Sequence, residues 1–191
     1  MPDIYENFAE LAAAEAEGAY RIELREKGSS VALIAPHAGK IEPGTSQICK
    51  SVAGDNLTYY LFEGCKPSNN RDLHITSSRF DEPLAIKTAE SAKFVVTFHG
   101  QSGNDLFVNV GGLADSLRDS ISAELTAAGF VATSQTNQML QGRDSANICN
   151  RGSEKKGLQL EVSRGLRDLL VTDKHQMQCF STAVRSALYG L

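Results

Sequence analysis

The sequence predicts a single α/β domain over residues 1–191, with three layers (α/β/α) in which helices flank a mixed, largely parallel sheet. Segments of strand and helix character alternate from end to end, which is typical of this class. The runs VALIAP and FVVTF are apolar throughout, as expected for buried strands of a parallel sheet. No internal repeat or hinge-like linker divides the chain, and 191 residues can bury one substantial core.

The first half of the chain is predicted to contain two helices and three strands. Helix-favouring residues dominate the acidic N-terminus, Thr45 can cap the second helix, and β-branched or aromatic residues mark the strands. In order, these elements are a helix over 3–15, strands over 19–26 and 31–36, a helix over 46–54 and a strand over 57–64. The polar segment 66–83 then runs too long for a simple turn, which indicates a functional or a disordered loop.

Pro83 opens the next predicted helix, which ends near Ser91, because proline is favoured at the first helical position. Strands over 93–100 and 106–110 follow, and after them come a helix and a strand around Phe130. The helix is predicted from apolar residues that recur every four positions and line one face. They are Leu113, Leu117, Ile121 and Leu125.

A second long irregular region, 134–156, precedes a predicted strand over 157–163. In that strand, apolar residues alternate with polar ones, so that Gln159, Glu161 and Ser163 point away from the core. The closing segment 173–191 is predicted to form an amphipathic helix on the sheet. Its apolar residues at helical spacing are Met177, Phe180, Val184 and Leu188.

Composition and charge exclude several classes of partner. With 19 basic and 23 acidic residues, a net charge of −4 and no tryptophan, the chain lacks the broad positive surface that nucleic acids require. No apolar stretch approaches the roughly 18 residues of a membrane-spanning helix. The N-terminus lacks the positive start and apolar middle of a secretory signal. We therefore expect a protein made in the cytoplasm, with neither nucleic acid nor membrane as partner, that acts outside the cell after host lysis.

Two histidines and a glutamate are the most informative polar residues. His37 and His99 each end an apolar run, and Glu42 follows His37 after four intervening residues. Ligand crevices of open α/β sheets lie at the carboxyl ends of the strands, so both histidines should emerge there. Imidazole, carboxylate and imidazole suit a catalytic Zn²⁺ whose fourth position is left for water, whereas Mg²⁺ and Ca²⁺ prefer oxygen-rich shells. The sequence therefore predicts one zinc ion, with Mn²⁺ and Co²⁺ as alternatives.

Glu161 is the candidate general base, because a second carboxylate near such an ion could take the proton from its water. Taken singly, each of these residues has an ordinary structural explanation, such as a strand-end histidine bound to a backbone carbonyl or a solvated carboxylate. The coincidence of two strand-end histidines with two glutamates favours a metal site.

Four segments resemble motifs of the poly-γ-glutamate hydrolase family, known from bacteriophages of bacilli and from bacterial chromosomes. The likeness covers residues 18–190, and the segments that carry it are APHAGKIEPGT, FVVTFHGQ, NICNRG and GLQLEVSRGLR. Members are zinc peptidases with a fold similar to carboxypeptidase A. The resemblance implies that His37, Glu42 and His99 are the zinc ligands and that Glu161 is the general base. Two more residues separate His37 from Glu42 than in the His-x-x-Glu motif of ordinary carboxypeptidases, which favours the specialised family.

The substrate implied by the resemblance is an anionic γ-glutamyl polymer with a free carboxylate on every unit. Such a polymer needs cations in the cleft, and guanidinium groups match carboxylates bidentately. The preferred substrate-binding residues are Arg79, Arg151 and Arg164, although a surface ion pair is the alternative for each. His74 could orient the substrate or stabilise an oxyanion. Asn150 with Arg151 resembles the Asn-Arg pair with which carboxypeptidases hold a terminal carboxylate.

The loops 64–82 and 134–156 are predicted to wall a groove beside the metal. Both segments are polar and carry arginines, and the groove should hold several polymer units. This arrangement favours internal cleavage, and we expect the enzyme to be a monomer.

Two other functions stay open at this point. One is a zinc amidase acting on peptidoglycan, which also uses His, Glu and His ligands around an activated water. The other is a non-catalytic polyanion-binding module whose histidines bind no metal. A serine hydrolase is disfavoured because no segment supplies the G-x-S-x-G elbow.

Overall fold

Seven strands form one mixed sheet in the computed structural model, which describes residues 2–189. The strands are β1 (Tyr20–Arg25), β2 (Val31–Gly39), β3 (Thr58–Gly64), β4 (Phe94–Gln101), β5 (Phe107–Gly112), β6 (Val131–Ser134) and β7 (Leu158–Ser163). The α-helices in this range are α1 (Phe8–Ala14), α2 (Thr45–Ala53), α3 (Pro83–Glu90), α4 (Asp115–Ala127), α5 (Arg164–Thr172) and α6 (Lys174–Leu188). Residues 1, 190 and 191 of the predicted domain lie outside the described residues.

Four parallel strands form the centre of the sheet, whose order is β1-β3-β2-β4-β7-β5-β6. Strands β3, β2, β4 and β7 run parallel, while β1 joins β3 and β5 joins β7 in antiparallel fashion. Strand β6 pairs parallel with β5. The predicted mixed, largely parallel sheet is confirmed. The carboxyl ends of the four central strands meet at one edge, where α/β sheets place their ligand crevice.

The hydrophobic core lies on both faces of the sheet and produces three layers. On one face, Leu33, Val96 and Leu160 pack with residues of α2, α4, α5 and α6. On the other face, Ile34 and Val95 pack with residues of α1 and α3. Adjacent residues of a strand fill opposite faces because side chains alternate along it. The predicted α/β/α arrangement is therefore confirmed.

Several local features differ from the prediction, and helix α1, for example, begins at Phe8 and not near residue 3. Gly44, not Thr45, is the N-cap residue of α2, and α4 begins after Leu113, so that the apolar stripe of α4 consists of the remaining three residues. Helix α5 was not predicted from the sequence. It follows β7 directly, because the Ser163 side chain accepts a hydrogen bond from the Leu166 N–H at 3.2 Å and caps the new helix.

The two long polar loops contain short 3₁₀ turns, which lie at Asn70–Leu73, Gln138–Leu140 and Ile148–Arg151. The first loop starts at the carboxyl end of β3, whereas the second leads from the end of β6 to the start of β7. Among residues 2–189, no helix has the length and apolar character needed to cross a bilayer.

Candidate active site

A bulge in β2 places His37 on the same face of the sheet as His99. The pairing register of β2 shifts between Ala35 and Ala38, and both of these residues pack towards α2, α4, α5 and α6. His37 lies between them and contacts the opposite face, where its ring centroid is 6.2 Å from that of Phe80. His99 directly follows a residue that packs towards the four helices, so its side chain also points to the opposite face. The two imidazoles therefore meet at the ends of adjacent parallel strands.

A tight turn after β2 returns Glu42 to the histidines. The Glu42 N–H donates to the His37 carbonyl at 2.9 Å, and Glu42 Oε2 accepts from the Gly100 N–H at 2.7 Å. Gly39 lets the turn pass close to β3, because its φ is +65° and a Cβ there would lie 2.7 Å from the Gly64 carbonyl oxygen. The backbone thus fixes the direction in which the Glu42 carboxylate points.

The donor atoms of His37, Glu42 and His99 form a compact group. The two histidine Nδ1 atoms are 3.2 Å apart. Glu42 Oε1 lies 3.4 Å from His37 Nδ1, and Glu42 Oε2 lies 3.9 Å from His99 Nδ1. Two nitrogen or oxygen ligands of one tetrahedral zinc ion are roughly 3.4 Å apart, given bond lengths of about 2.1 Å. The spacing of the three donors therefore fits a single ion.

The other histidine nitrogens carry the hydrogen bonds expected of metal ligands. His37 Nε2 lies 2.8 Å from the Ile75 carbonyl. Because a carbonyl oxygen only accepts, Nε2 carries a proton, and Nδ1 is the nitrogen that faces the other donors. His99 Nε2 lies 3.5 Å from Ser77 Oγ. The chemistry of the donor set, and not only its spacing, therefore fits Zn²⁺.

Charges within the group favour the ligating forms of Glu42 and His99. Burial raises the pKa of Glu42, but His37, His99 and the Gly100 N–H together outweigh burial and hold this pKa at about 2. Burial, followed by the charge of His37, lowers the pKa of His99 to about 3. Metals bind carboxylates and neutral imidazoles, so few protons would have to leave these two side chains when a metal binds.

Glu161 lies beside the donors on the neighbouring strand. It is the register partner of His99 in the β4–β7 pair, and paired strands are about 4.8 Å apart. Gln159 Nε2 donates to Glu161 Oε1 at 2.7 Å and orients the carboxylate. Burial, and then the negative charge of Glu42, raises the pKa of Glu161 to about 8. A carboxyl group with a pKa in this range is suited to proton transfer near neutral pH.

A cleft of about 1020 Å³ opens over these side chains. Both long loops contribute to its walls, as predicted. Arginines from the loops and from α5 line it, together with carboxylates such as Asp3 and Asp144. The lining arginines are Arg71, Arg79, Arg143, Arg164 and Arg167. Of these, Arg164 is half exposed, so its forked N–H groups can reach carboxylates in the cleft.

Three predicted substrate-binding residues line the cleft, namely His74, Arg79 and Arg164. The His74 ring stacks on His37 with 3.9 Å between centroids, and His74 Nδ1 lies 2.6 Å from Asp3 Oδ1. Arg79 forms ion pairs with Asp3, at 2.9 Å, and with a second carboxylate of the N-terminal segment. Arg164 projects from the start of α5, where its side chain is half exposed and pairs with a carboxylate one turn further on.

The structure does not bring Asn150 and Arg151 to the cleft. The Asn150 side chain donates to two carbonyls of its own loop and accepts from the Gly157 N–H at 3.0 Å, and the residue is only 1% exposed. Arg151 donates to the Ala146 carbonyl at 3.3 Å. Because the polar groups of Asn150 already bind backbone atoms, it holds the 134–156 loop together. We correct the predicted substrate contact of this pair accordingly.

Comparison with known proteins agrees with this arrangement. The family model of poly-γ-glutamate hydrolases matches residues 5–186. The chain belongs to this family. It is therefore a hydrolase, and the resemblance of the four sequence motifs is confirmed.

Relatives of this poly-γ-glutamate hydrolase family member include YmaC, a UPF0714 protein of Bacillus subtilis strain 168. It is 40% identical over 175 residues, which cover 91% of this chain and 74% of YmaC. The structure of a bacteriophage poly-γ-glutamate hydrolase matches with a TM-score of 0.92 and 33% identity over 98% of this chain and 97% of the other. A zinc-free structure of YndL matches with a TM-score of 0.93 and 32% identity over 99% and 98% of the two chains. The fold is thus shared along nearly the whole chain.

Arg167 is a cleft residue of this hydrolase that the sequence analysis missed. It lies in α5, and its contacts come from segments that are distant in sequence. The available signal was Leu166, Leu169 and Leu170, whose spacing after Ser163 is that of an amphipathic helix. Recognising this helix would have placed the arginine directly after the strand that carries Glu161, but it would not have predicted the contacts of its side chain.

Proposed function

We propose that this hydrolase cleaves γ-glutamyl amide bonds of poly-γ-glutamate, using one zinc ion held by His37, Glu42 and His99. The observation that carries the proposal is the convergence of these three donors within 4.8 Å of one another at the base of an arginine-lined cleft. Membership of the poly-γ-glutamate hydrolase family and the zinc-free structure of the relative YndL support the substrate and the metal.

When bound, zinc supplies a polarised amide carbonyl and a water whose pKa falls from roughly 16 to about 7. Glu161 accepts the proton of the attacking water and then delivers it to the departing amine. The Gln159 amide holds the Glu161 carboxylate in a fixed direction during both transfers. The positive charge of a zinc ion held by the three donors would favour the ionised form of Glu161, which is the form that accepts a proton.

The polymer carries a carboxylate on every unit, and arginines line the cleft that contains the candidate ligands. Arg79 lies in one loop wall and Arg164 at the start of α5, so they can hold separate units of the polymer. His74 lies between Arg79 and the candidate metal centre, where it can orient the substrate carbonyl. A cleft of about 1020 Å³ has room for several units of the polymer, and we therefore propose internal cleavage.

The test of the proposed function is hydrolysis of purified poly-γ-glutamate by untreated, chelator-treated and zinc-restored protein. We expect activity to disappear on chelation and to return with zinc. Equal hydrolysis with and without metal contradicts the zinc proposal. If the protein degrades purified peptidoglycan but leaves poly-γ-glutamate intact, the proposed substrate is wrong.

Product size distinguishes internal from terminal cleavage. Internal cutting lowers the mean chain length early in the digestion, as seen by gel filtration of samples from successive times. Release of single units with little fall in mean chain length contradicts internal cleavage.

Arg164→Ala is expected to raise the KM for the polymer roughly three- to tenfold with little change in kcat. The half-exposed Arg164 guanidinium offers a charge-assisted hydrogen bond that solvent weakens. Steady-state kinetics at low and high salt measure the effect, which should shrink as salt screens the charges.

Arg151→Ala is the matched control, because this arginine lies outside the cleft. It should leave KM unchanged at both salt concentrations. Equal KM values for wild type and Arg164→Ala would contradict substrate binding by Arg164.

A further inference from the structure

The Arg167 guanidinium donates to three backbone carbonyls from three separate parts of the chain. Nη1 donates to the Pro43 carbonyl, Nη2 to the Gln101 carbonyl at 3.3 Å, and Nε to the Val162 carbonyl at 3.1 Å. The first carbonyl belongs to the turn after β2, the second to the end of β4 and the third to β7. One planar guanidinium group therefore joins three segments that lie far apart in the sequence.

Each carbonyl lies next to a residue of the proposed active site. The first belongs to the residue after Glu42, the second lies two residues after His99, and the third belongs to the residue after Glu161. We propose that Arg167 is a positioning residue, which sets the relative placement of two zinc ligands and the general base. This inference rests on the proposed function of the site.

The surroundings of Arg167 leave room for a guanidinium at this point. The residue is 4% exposed. A Cβ on Gly100 would lie 2.7 Å from Arg167 Cζ, and a Cβ on Gly44 would lie 3.0 Å from Arg167 Cβ. The negative charges of Glu42, Asp168 and Glu161 offset part of the cost of burying this charge. Glycines and carboxylates around the side chain thus match its shape and its charge.

Arginine is the side chain that can perform this task. Its N–H groups point in fixed directions from one plane, so that separate acceptors are held at defined angles. A lysine at position 167 has a single nitrogen on a flexible stem and cannot keep the same three contacts. A methionine fills similar space without any donor.

Arg167→Met and Arg167→Lys are both expected to weaken zinc binding about 10- to 100-fold, the usual cost of losing a group that orients metal ligands. They should also lower kcat, because Glu161 is no longer held in register with the ligands, and leave the KM for the polymer unchanged. Zinc affinity is measured by competition with a chromophoric chelator, at a temperature where circular dichroism shows each variant to be fully folded.

Arg185→Met is the matched control. Arg185 also donates to a backbone carbonyl, that of Val52 at 2.9 Å, and to Asn56 Oδ1 at 2.8 Å, but it does not line the cleft. Its loss should lower the melting temperature while leaving zinc affinity and kcat unchanged. This control separates a general loss of stability from a loss of positioning.

Gly100→Ala provides a second perturbation that retains the arginine. The added methyl group would meet Arg167 Cζ and push the guanidinium away from its carbonyls. We expect Gly100→Ala to bind zinc about tenfold more weakly than the wild type. The double variant Gly100→Ala/Arg167→Met should bind zinc no more weakly than Arg167→Met alone, because both changes disturb the same contacts. If the Arg167 variants do not fold, Gly100→Ala with wild-type zinc affinity overturns the inference.

Two outcomes distinguish this inference from the proposed function. Wild-type protein that binds no zinc overturns the proposed function and the role of Arg167 with it. If the wild type binds zinc and a folded Arg167→Met variant has the same zinc affinity and kcat, only the role of Arg167 is overturned.

Discussion

Glu161→Gln is expected to lower kcat for poly-γ-glutamate by roughly 10²- to 10⁴-fold, the usual contribution of a general base, while zinc content stays unchanged. Glutamine has nearly the shape of glutamate but cannot accept the proton of the attacking water. The three proposed zinc donors belong to other residues, so the ion should remain bound. Single-turnover kinetics together with metal analysis of the same preparation measure both effects.

Glu82→Gln is the matched control for this substitution. Glu82 is a buried glutamate, 3% exposed, that accepts a hydrogen bond from the Ala85 N–H at the start of α3 and does not line the cleft. Glutamine keeps an oxygen that can accept the same bond, so kcat should stay at the wild-type level. Full turnover by Glu161→Gln would show that another group takes the proton.

The different environments of the two cleft glutamates assign their separate tasks. The histidines and the Gly100 N–H keep the pKa of Glu42 at about 2, whereas burial and the charge of Glu42 raise that of Glu161 to about 8. A carboxyl group that stays ionised suits a metal ligand, and one that titrates near neutral pH suits proton transfer. Pairs of acids whose pKa values are pushed apart in this way commonly divide the roles of an active site.

The central strands and the site residues could be predicted from the sequence because their signals are local. The apolar run before His37 identifies a buried strand without any knowledge of its neighbours. The same holds for the run that ends at His99. Alternation in β7 separates Glu161 from the core-facing residues. Since parallel strands end at a common edge, these three positions indicate one site even before the order of the strands is known.

The remaining features depend on contacts between distant segments, which no local pattern records. The bulge that turns His37 towards His99 is visible only in the pairing of β2 with β3. Arg167 acquires its significance from carbonyls that lie far from it in sequence. Asn150 shows the opposite case, because its resemblance to a carboxylate-binding motif is local, whereas its amide is used by the backbone of its own loop and by the Gly157 N–H.

His99→Ala is expected to remove zinc binding at micromolar concentrations and, with it, hydrolysis. Loss of a direct ligand leaves two donors for an ion that normally has three from the protein, so the decrease in affinity should exceed the roughly 10- to 100-fold cost of losing an orienting group. A metal that binds only the folded state also stabilises it. Zinc at about 100 times its Kd adds about 2.7 kcal/mol, or roughly 5–10 °C in melting temperature for a chain of this size. The variant should lose this zinc-dependent shift.

His175→Ala is the control that separates ligand loss from the loss of any histidine. His175 is exposed on α6, away from the cleft, and its Nε2 lies 3.7 Å from Cys179 Sγ. This variant should keep the zinc-dependent rise in melting temperature, the zinc content and kcat. Because the shift is measured without substrate, it tests the three-donor site independently of the reaction. A His99→Ala protein that still gains stability from zinc, as His175→Ala does, would place the ion elsewhere.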